Sequence, residues 1–451
     1  MPSPPATPES VIIRAVESPL VRGGLTIGAG IIVGNIVGFA RVALTAYLLG
    51  THSLADSLAV AMGPLDTLNS VLINSMVFAF VPMLTERKGA ARTALFLKLN
   101  RYFTGLFTAL TVAILVLAPW LIRVLAPGLN PAFFDAAVMN LRIVSLSTLA
   151  VGVAAIHSAL LYTDRRFAPS AFYQASLNLF TVAAALALWN LLGVYAFPLG
   201  YALGAWVQSA VVCRSARAGL EVRDLPECDV GWRDLLAKPL SILMFTGGLA
   251  ANITFTRAYA THAGPGVAAA LDYCMRGVGV PLAFLVSPLS NSLLPEIARL
   301  RSQFRLREAF RLIDRTTALA ALAAVGGCAF ALALREPATR LLFERGSFTA
   351  ESTTMVAAVF LGLGPSMIGW GLMELTSRSL FSLERPGLPV TVAFIPLVVN
   401  VAVTLWMGNP QPQLIGLGAS LGLLAGFSTL FGLARANRPK WLAEMAPEGR
   451  P

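Results

Sequence analysis

Long apolar stretches alternate with short polar connections along almost the whole chain. A helix that crosses the hydrocarbon core of a bilayer, roughly 30 Å thick, needs about 20 predominantly apolar residues. Twelve stretches reach that length, near 24–49, 58–83, 103–126, 140–162, 168–190, 194–213, 239–260, 268–295, 316–343, 353–381, 388–408 and 413–434. The pattern predicts an all-α polytopic membrane protein with about twelve transmembrane helices.

The twelve stretches form two sets of six with the same landmarks in the same order. Pro82 follows the second stretch and Pro295 the eighth, and a basic amphipathic link comes after each. Asn178 lies in the fifth stretch and Asn400 in the eleventh. Ordered landmarks at a near-constant offset indicate an internal repeat. Because six is even, both sets enter from the same side, which predicts two parallel six-helix lobes around a central cavity.

This repeat divides the chain into four parts. We predict a disordered cytoplasmic segment over 1–23, an N-lobe over 24–222, a C-lobe over 223–434 that a cytoplasmic linker precedes, and a cytoplasmic tail over 435–451.

Composition and charge agree with a membrane location. The chain is 56% hydrophobic and 13% charged, with a mean hydropathy of +0.71, whereas a soluble protein has about a quarter of its residues charged. Most of the 34 Lys and Arg residues lie in the tails and after even-numbered stretches, which predicts cytoplasmic termini. The net charge of +11 is therefore a topology signal and an attraction to anionic lipids, not a sign of nucleic acid. Arg299–Arg315 is expected to be one amphipathic helix on the inner leaflet.

The sequence lacks the common enzyme motifs. It has no G-x-x-x-x-G-K-[ST] for nucleotide binding, no His followed by Glu, and no C-x-x-C pair among its four cysteines. Ser420 stands in a formal G-x-S-x-G, but Gly418, Gly422 and Gly426 at four-residue spacing in an apolar stretch favour a helix-packing face. We expect a transporter and no enzyme, with no metal or cofactor bound.

Two arginines inside the apolar stretches are the main candidates for a binding site. Arg41 lies in the first stretch and Arg276 in the eighth, where a charge is costly unless it faces a cavity or a partner. Guanidinium groups bind phosphate oxygens in a bidentate fork, so we predict that both bind one diphosphate. The alternatives are snorkelling or a buried pair, for instance Arg276 with Asp272.

Other polar residues within the stretches are weaker candidates. Those predicted to line the cavity are Asn35, Asp56, Asn69, Asn74, Asp272 and Glu374, and the ion-site candidates are Asn252 and Asn400. Interhelical hydrogen bonding is the default alternative for the asparagines. The alternative for Asp56 is a structural position at a helix start or in a loop, and the alternative for Glu374 is a local ion pair with Arg378.

An ordered set of short motifs resembles the MurJ/MviN lipid II flippases of the multidrug/oligosaccharidyl-lipid/polysaccharide exporter superfamily. The motifs include Gly38-Phe-Ala-Arg41, Ala55-Asp56, Ala79-Phe-Val-Pro82, Arg276 with Pro281, and Leu342-Phe-Glu-Arg-Gly-Ser-Phe-Thr349. The resemblance covers nearly the whole chain. Arginines of the family fall here on Asn35, Leu68 and Asn69, and an acidic position falls on Val42.

The resemblance implies a flippase of the bacterial cytoplasmic membrane, active in peptidoglycan or polysaccharide assembly. It implies that an undecaprenyl-pyrophosphate-linked saccharide, lipid II or a related unit, moves from the inner to the outer leaflet. Arg41 and Arg276 are then the diphosphate-binding residues, and coupling is to the membrane potential, Na⁺ or H⁺. Implied partners are anionic lipids and envelope-biosynthesis enzymes. Two other hypotheses stay open: a cation-coupled multidrug-type exporter that uses Glu374 or Asp272, and a non-transporting envelope-assembly scaffold.

Overall fold

The computed structural model describes residues 19–218, 220, 225–228, 230–281 and 287–444. In these ranges all regular structure is helical and no strand occurs. Apart from a single helical turn at Ala168–Ala171, the α-helices of the first half are α1 (Pro19–Leu49), α2 (Ser53–Thr85), α3 (Gly89–Leu125), α4 (Phe134–Thr163), α5 (Tyr173–Leu192) and α6 (Ala196–Arg217). Those of the second half are α7 (Trp232–Ala260), α8 (Val267–Pro281), α9 (Ser287–Ser302), α10 (Leu306–Ala333), α11 (Arg335–Phe343), α12 (Ala350–Leu363), α13 (Ser366–Ser382), α14 (Gly387–Val392), α15 (Ile395–Met407) and α16 (Leu417–Glu444).

The predicted class, an all-α polytopic membrane protein, is confirmed. In the described part of the chain, eight helical stretches are long and apolar enough to cross a bilayer, or nine if the bent pair α12 and α13 is one span. That pair bends by 44° at Gly364 and Pro365, where proline cannot donate a backbone hydrogen bond. The α5–α6 hairpin is one of these eight stretches. The expected number of twelve transmembrane helices stays a prediction.

The chain forms two compact units. The first takes the described residues within Met1–Leu44, Leu65–Ala118 and Val138–Ile242. The second takes those within Thr45–Pro64, Pro119–Ala137 and Leu243–Pro451. The end of α1 and the start of α2 therefore belong to the second unit, although they come from the first half of the sequence.

Aromatic side chains and small residues organise the first unit. Phe80 and Phe103 are buried edge to face, with ring centroids 5.0 Å apart, and Phe107 continues this cluster. In the α5–α6 hairpin, a Cβ at Gly200 would lie 2.5 Å from the carbonyl oxygen of Phe180. The glycine is therefore what lets these two helices pack so closely.

The second unit contains the predicted glycine face of α16. A Cβ at Gly418 would overlap Oδ1 of Asn400, one at Gly422 would overlap the carbonyl of Pro396, and one at Gly426 would lie 2.8 Å from Cγ of the same proline. The helix-packing interpretation is confirmed.

The expectation of one amphipathic helix over Arg299–Arg315 is wrong. Helix α9 ends at Ser302, and α10 begins at Leu306. Between them Phe304 takes a left-handed φ of 58°, and the Arg305 N–H donates to the carbonyl of Leu300 at 2.8 Å. This is the Schellman end of a helix, which normally uses glycine. Phe310 and Ile313 pack into a core cluster instead of facing a membrane surface.

Matching hydrogen bonds occur in the two sequence halves. In the first unit the Asn178 amide donates to the carbonyl of Gly34 at 3.3 Å. In the second unit the Asn400 amide donates to the carbonyl of Asn252 at 3.2 Å. Each bond joins the fifth predicted span of its half to the first. The internal repeat predicted from landmarks thus extends to the buried contacts.

Candidate functional site

The first unit holds Arg41 against a carboxylate from the next helix. Arg41 lies on α1, and its Nη2 is 3.4 Å from Oδ2 of Asp66 on α2. The two side chains are 13% and 22% exposed, so the pair is largely shielded and still accessible. A distance of 3.4 Å is longer than the 2.7–2.9 Å typical of charge-assisted hydrogen bonds. Arg41 and Asp66 therefore form a partly accessible ion pair between α1 and α2.

Tyrosines support Asp66 on its other side. The Tyr201 hydroxyl, on α6, donates to Oδ1 of Asp66 at 2.8 Å, and its side chain is fully buried. The buried hydroxyl of Tyr173, on α5, lies in the same cluster. Asp66 thus accepts a hydrogen bond from a buried tyrosine and also contacts the arginine. Sequence reasoning identified Arg41 but not this partner, because the pairing depends on how α1, α2 and α6 pack.

The second unit has a comparable but tighter pair. Arg257, near the end of α7, donates to Oδ1 of Asp272 from Nε at 3.0 Å and from Nη2 at 2.6 Å. Its side chain is only 6% exposed. A Cβ at Gly63 would overlap the guanidinium carbon, so the backbone of α2 covers one face of the cation. Asp272 therefore pairs with Arg257 from the neighbouring helix.

Arg257 was not singled out from the sequence, although a signal was present. Asn35-Ile36 precedes Arg41 on α1, and Asn252-Ile253 precedes Arg257 on α7. Both arginines pair with an aspartate of the following helix in their own half. Comparing the first spans of the two repeats would have identified it.

Arg41 and Arg276 lie in different compact units. Arg276 is half-buried on α8, one turn beyond Asp272. Their joint action on one diphosphate stays a prediction.

Asp56 caps a helix of the other sequence half. Its Oδ2 accepts from the Gly266 N–H at 2.6 Å, and its Oδ1 accepts from the Ala269 N–H at 2.9 Å. These donors belong to the first turn of α8 and the residue before it, where an N-cap carboxylate satisfies otherwise unpaired N–H groups. Asp56 is 4% exposed, so this is a buried structural contact.

Further bonds join the same segments within the second unit. The Tyr273 hydroxyl donates to the carbonyl of Gly50 at 2.7 Å, and the Thr51 and Ser352 hydroxyls lie 2.7 Å apart. The Ser347 N–H donates to the carbonyl of Tyr47 at 2.8 Å. The turn between α1 and α2 is therefore fastened to the start of α8 and to the loop before α12.

The remaining polar candidates have different surroundings. Asn69 is fully buried and donates to the Ser147 hydroxyl at 2.9 Å, whereas Asn35 is exposed. Asn74 lines an apolar groove of about 470 Å³ between α1, α2, α4 and α5 in the first unit. Glu374 contacts Arg378 at 2.6 Å, one turn along α13, which is the local ion pair given as the alternative.

The ion-site candidates Asn252 and Asn400 bind each other. The Asn400 amide nitrogen donates towards three oxygens: the Asn252 carbonyl at 3.2 Å, the Asn252 Oδ1 at 2.8 Å and the Thr256 hydroxyl at 2.9 Å. Thr404 donates to Asn400 Oδ1, which sets the amide orientation. The amide nitrogen thus lies where a cation would have to lie, and no carboxylate contributes. These residues do not fit a sodium ion. In the described residues no cluster of three His, Cys, Asp or Glu side chains occurs either.

Sequences of one protein family resemble the chain over most of its length. The family described as "Lipid II flippase MurJ" matches residues 45–445. A probable lipid II flippase MurJ of Rhizobium meliloti (strain 1021) is 27% identical over 433 residues, which cover 90% of this chain and 78% of the relative. The lipid II flippase MurJ of Burkholderia cenocepacia is 24% identical over 459 residues, which cover 94% and 86%.

Solved structures share the fold. A lipid II flippase MurJ in an inward closed conformation superposes with a TM-score of 0.79 at 18% identity, covering 93% of this chain and 90% of that one. An inward-facing multidrug resistance MATE transporter of the MOP superfamily has a TM-score of 0.74 at 13% identity, covering 91% and 96%. Since one family matches nearly the entire chain, the protein belongs to the lipid II flippase MurJ family.

Proposed function

We propose that the protein moves an undecaprenyl-pyrophosphate-linked saccharide, lipid II or a related unit, from the inner to the outer leaflet by alternating access. The observation that carries this proposal is Arg41, an accessible guanidinium inside an apolar helix of a lipid II flippase family member. As a member of that family, the protein is a multi-pass protein of the bacterial inner membrane. It is a transporter and not an enzyme.

The chemistry of Arg41 suits a diphosphate. A guanidinium presents several N–H donors in a plane that matches phosphate oxygens, and a low-dielectric surrounding strengthens the contact. The Arg41 side chain pairs with the Asp66 carboxylate and is 13% exposed, so a ligand can reach it. Arg276, on α8, is the proposed second ligand for the same diphosphate.

The contacts around Asp56 are the proposed outer gate. We place both termini in the cytoplasm, on the basis of the arginine and lysine distribution. The turn between α1 and α2 and the first turn of α2 then face outward, and we propose that their bonds to Gly266, Ala269, Tyr273 and Ser352 open for release to the outer leaflet. Each such bond contributes on the order of 1 kcal/mol, which a transport cycle can supply.

The proposed energy source is the membrane potential or a proton gradient. Moving one charge through 100 mV provides about 2.3 kcal/mol, comparable to the cost of opening the gate contacts. Sodium bound at Asn252 and Asn400 is not part of the proposal, because the Asn400 amide nitrogen takes the central position.

The test is flipping in proteoliposomes that contain a fluorescent undecaprenyl-pyrophosphate saccharide. Arg41→Ala and Arg276→Ala should each lower the rate at least tenfold, because each removes a charged diphosphate ligand. Arg307→Ala, an exposed arginine on α10, is the control and should keep the wild-type rate. Wild-type protein that fails to flip any lipid-linked saccharide would contradict the proposal, and wild-type rates in both arginine variants would contradict the site.

The exporter alternative is less well supported by the site. It requires acidic side chains that bind cationic drugs, yet Glu374 pairs with Arg378 and Asp272 pairs with Arg257. Drug efflux that stops in Glu374→Gln or Asp272→Asn would favour it. For the scaffold alternative, envelope assembly in cells would survive alanine at both Arg41 and Arg276.

A further inference from the structure

One more arginine of the first unit lies within a membrane-spanning stretch. Arg142 is on α4, which is long and apolar enough to cross a bilayer, and its side chain is exposed. Its Nε donates to the backbone carbonyl of Leu115 on α3 at 3.2 Å. Among the described residues no carboxylate forms an ion pair with Arg142. Because a cation in a membrane helix is costly without an anion, Arg142 calls for an anionic ligand.

The carbonyl of Leu115 is available because of a proline one turn further along α3. In a regular helix this carbonyl accepts the N–H of the residue four positions later. That residue is Pro119, inside the helix, and proline has no N–H to donate. Arg142 supplies the missing donor. The bond engages Nε and so orients the guanidinium, while the two Nη groups keep their donors for a ligand.

The surface around Arg142 is apolar. Met139 and Leu146 lie three residues before it and four after it, on the same face of α4, and both are exposed. On α3, Val112 and Val116 are exposed as well. Exposed apolar side chains on membrane-spanning helices are suited to contact with hydrocarbon chains. The ligand that fits this surface therefore combines an anionic group with an apolar chain.

Arg142 is close enough to one end of α4 to reach lipid head groups. Helix α4 begins at Phe134 and has 30 residues, so it is about 45 Å long and exceeds the hydrocarbon core of about 30 Å. Arg142 is in its third turn. Side chains of a helix lean towards its N-terminus, and a long arginine side chain can keep its charged end at the membrane surface. The guanidinium is thus placed at the level of lipid phosphates.

We propose that Arg142 binds the phosphate of an anionic phospholipid, such as phosphatidylglycerol, in the leaflet where α4 begins. Charge complementarity favours this lipid over a zwitterionic one, because its head group carries no cation that would repel the guanidinium. The Leu115 carbonyl holds Nε, the Nη donors bind phosphate oxygens, and the exposed apolar residues of α3 and α4 contact the acyl chains. The site uses none of the residues proposed for the diphosphate.

The experiment compares photoactivatable phosphatidylglycerol with photoactivatable phosphatidylcholine in nanodiscs that contain the full-length protein. Mass spectrometry quantifies labelling in the segments 110–118 and 138–148. In the wild type, phosphatidylglycerol should label these segments about fivefold more than phosphatidylcholine, the factor that one basic residue near the membrane surface provides. Arg142→Gln should abolish this preference. Arg307→Gln, at an exposed arginine on α10, is the control and should keep it.

Equal labelling by the two lipids in the wild type would overturn the proposal, and so would a preference that persists in folded Arg142→Gln. An arginine that only satisfies the Leu115 carbonyl would lower Tm when replaced and leave the lipid preference unchanged. If Arg142→Gln does not fold, the double variant Pro119→Ala, Arg142→Gln takes its place, because the restored N–H of residue 119 gives Leu115 its partner. Loss of the preference in that variant supports the site, and an unchanged preference overturns it.

Discussion

Asp56 and Gly266 are 210 positions apart in sequence and joined by a 2.6 Å hydrogen bond. The carboxylate of Asp56, in the first turn of α2, accepts the backbone N–H directly before α8. A negative charge at this end also complements the dipole of α8. The start of one helix therefore serves as the cap of another, and this cap is one of the bonds that join the two sequence halves.

Removing this cap should destabilise the protein measurably. Asp56→Ala leaves two buried N–H groups without their acceptor, which costs about 1 kcal/mol, and Asp56→Asn should cost less because one oxygen remains. Melting of the detergent-solubilised protein measures the effect as a lower Tm. Asp135→Ala, an exposed acid in the first turn of α4, is the control; equal Tm values for the two alanine variants would show that the cap contributes nothing.

Gly63 and Gly105 should respond oppositely to alanine. A methyl group at Gly63 would overlap the Arg257 guanidinium, whereas nothing lies within 4 Å of a Cβ at Gly105. Gly63→Ala should lower stability by about 1–3 kcal/mol because the buried pair must shift. Gly105→Ala, in the middle of α3, should be neutral or stabilise by up to about 1 kcal/mol through helix propensity. A Gly63→Ala protein as stable as the Gly105→Ala protein would argue against the packing of α2 on the cation.

The Arg257–Asp272 pair should behave as one unit. Asp272→Leu leaves a guanidinium buried without its partner, which should cost about 3 kcal/mol. The double variant Arg257→Met, Asp272→Leu should recover most of that loss, since both charges are gone. A double-mutant cycle on Tm gives the coupling, and additive losses in the double variant would mean that the two side chains do not stabilise each other.

Transport should not depend on sodium. Because the Asn400 amide nitrogen donates towards the three oxygens that a cation would need, replacing Na⁺ by K⁺ in the proteoliposome assay should leave the flipping rate within about twofold of its value in Na⁺. A rate that rises steeply with sodium would show that the ion binds and that the amide rearranges.

The hydrogen-bonded cluster of Asn400, Asn252 and Thr256 should also stabilise the fold. Asn400→Ala leaves buried acceptors on Asn252 and Thr256 without their donor, at a cost of about 1–3 kcal/mol. Asn409→Ala, in the exposed turn after α15, should leave Tm unchanged. If both substitutions lower Tm equally, the buried hydrogen bonds are not what stabilises this part of the second unit.

The membrane class was predictable because apolar runs of this length and number rarely occur in proteins that fold in water, and Arg41 was conspicuous because it interrupts one of them. The ion-pair partner of each charged residue was harder to predict. Asp272 has Arg276 one turn away on its own helix, but it binds Arg257 from α7. Sequence spacing describes neighbours along a helix, whereas the partner of a buried charge depends on which helix packs beside it.

Some helix ends also had no signal in the sequence. Phe304, Arg165 and Glu384 each take a left-handed φ near the end of a helix, a conformation that costs an ordinary residue about 1 kcal/mol or more. None is glycine, so no residue marks the turn. The break at Phe304 had no local signal; beyond it Phe310 and Ile313 pack into the core cluster.

Arg41 lies six positions after Asn35, and Arg257 lies five positions after Asn252. On an α-helix one residue corresponds to a rotation of about 100°, so the two arginines are out of phase when the helices are aligned on these asparagines. A shift of one residue turns an arginine to another face of its helix. Divergence of the two copies can thus proceed by changing the phase of a helix, without replacing the charged residue.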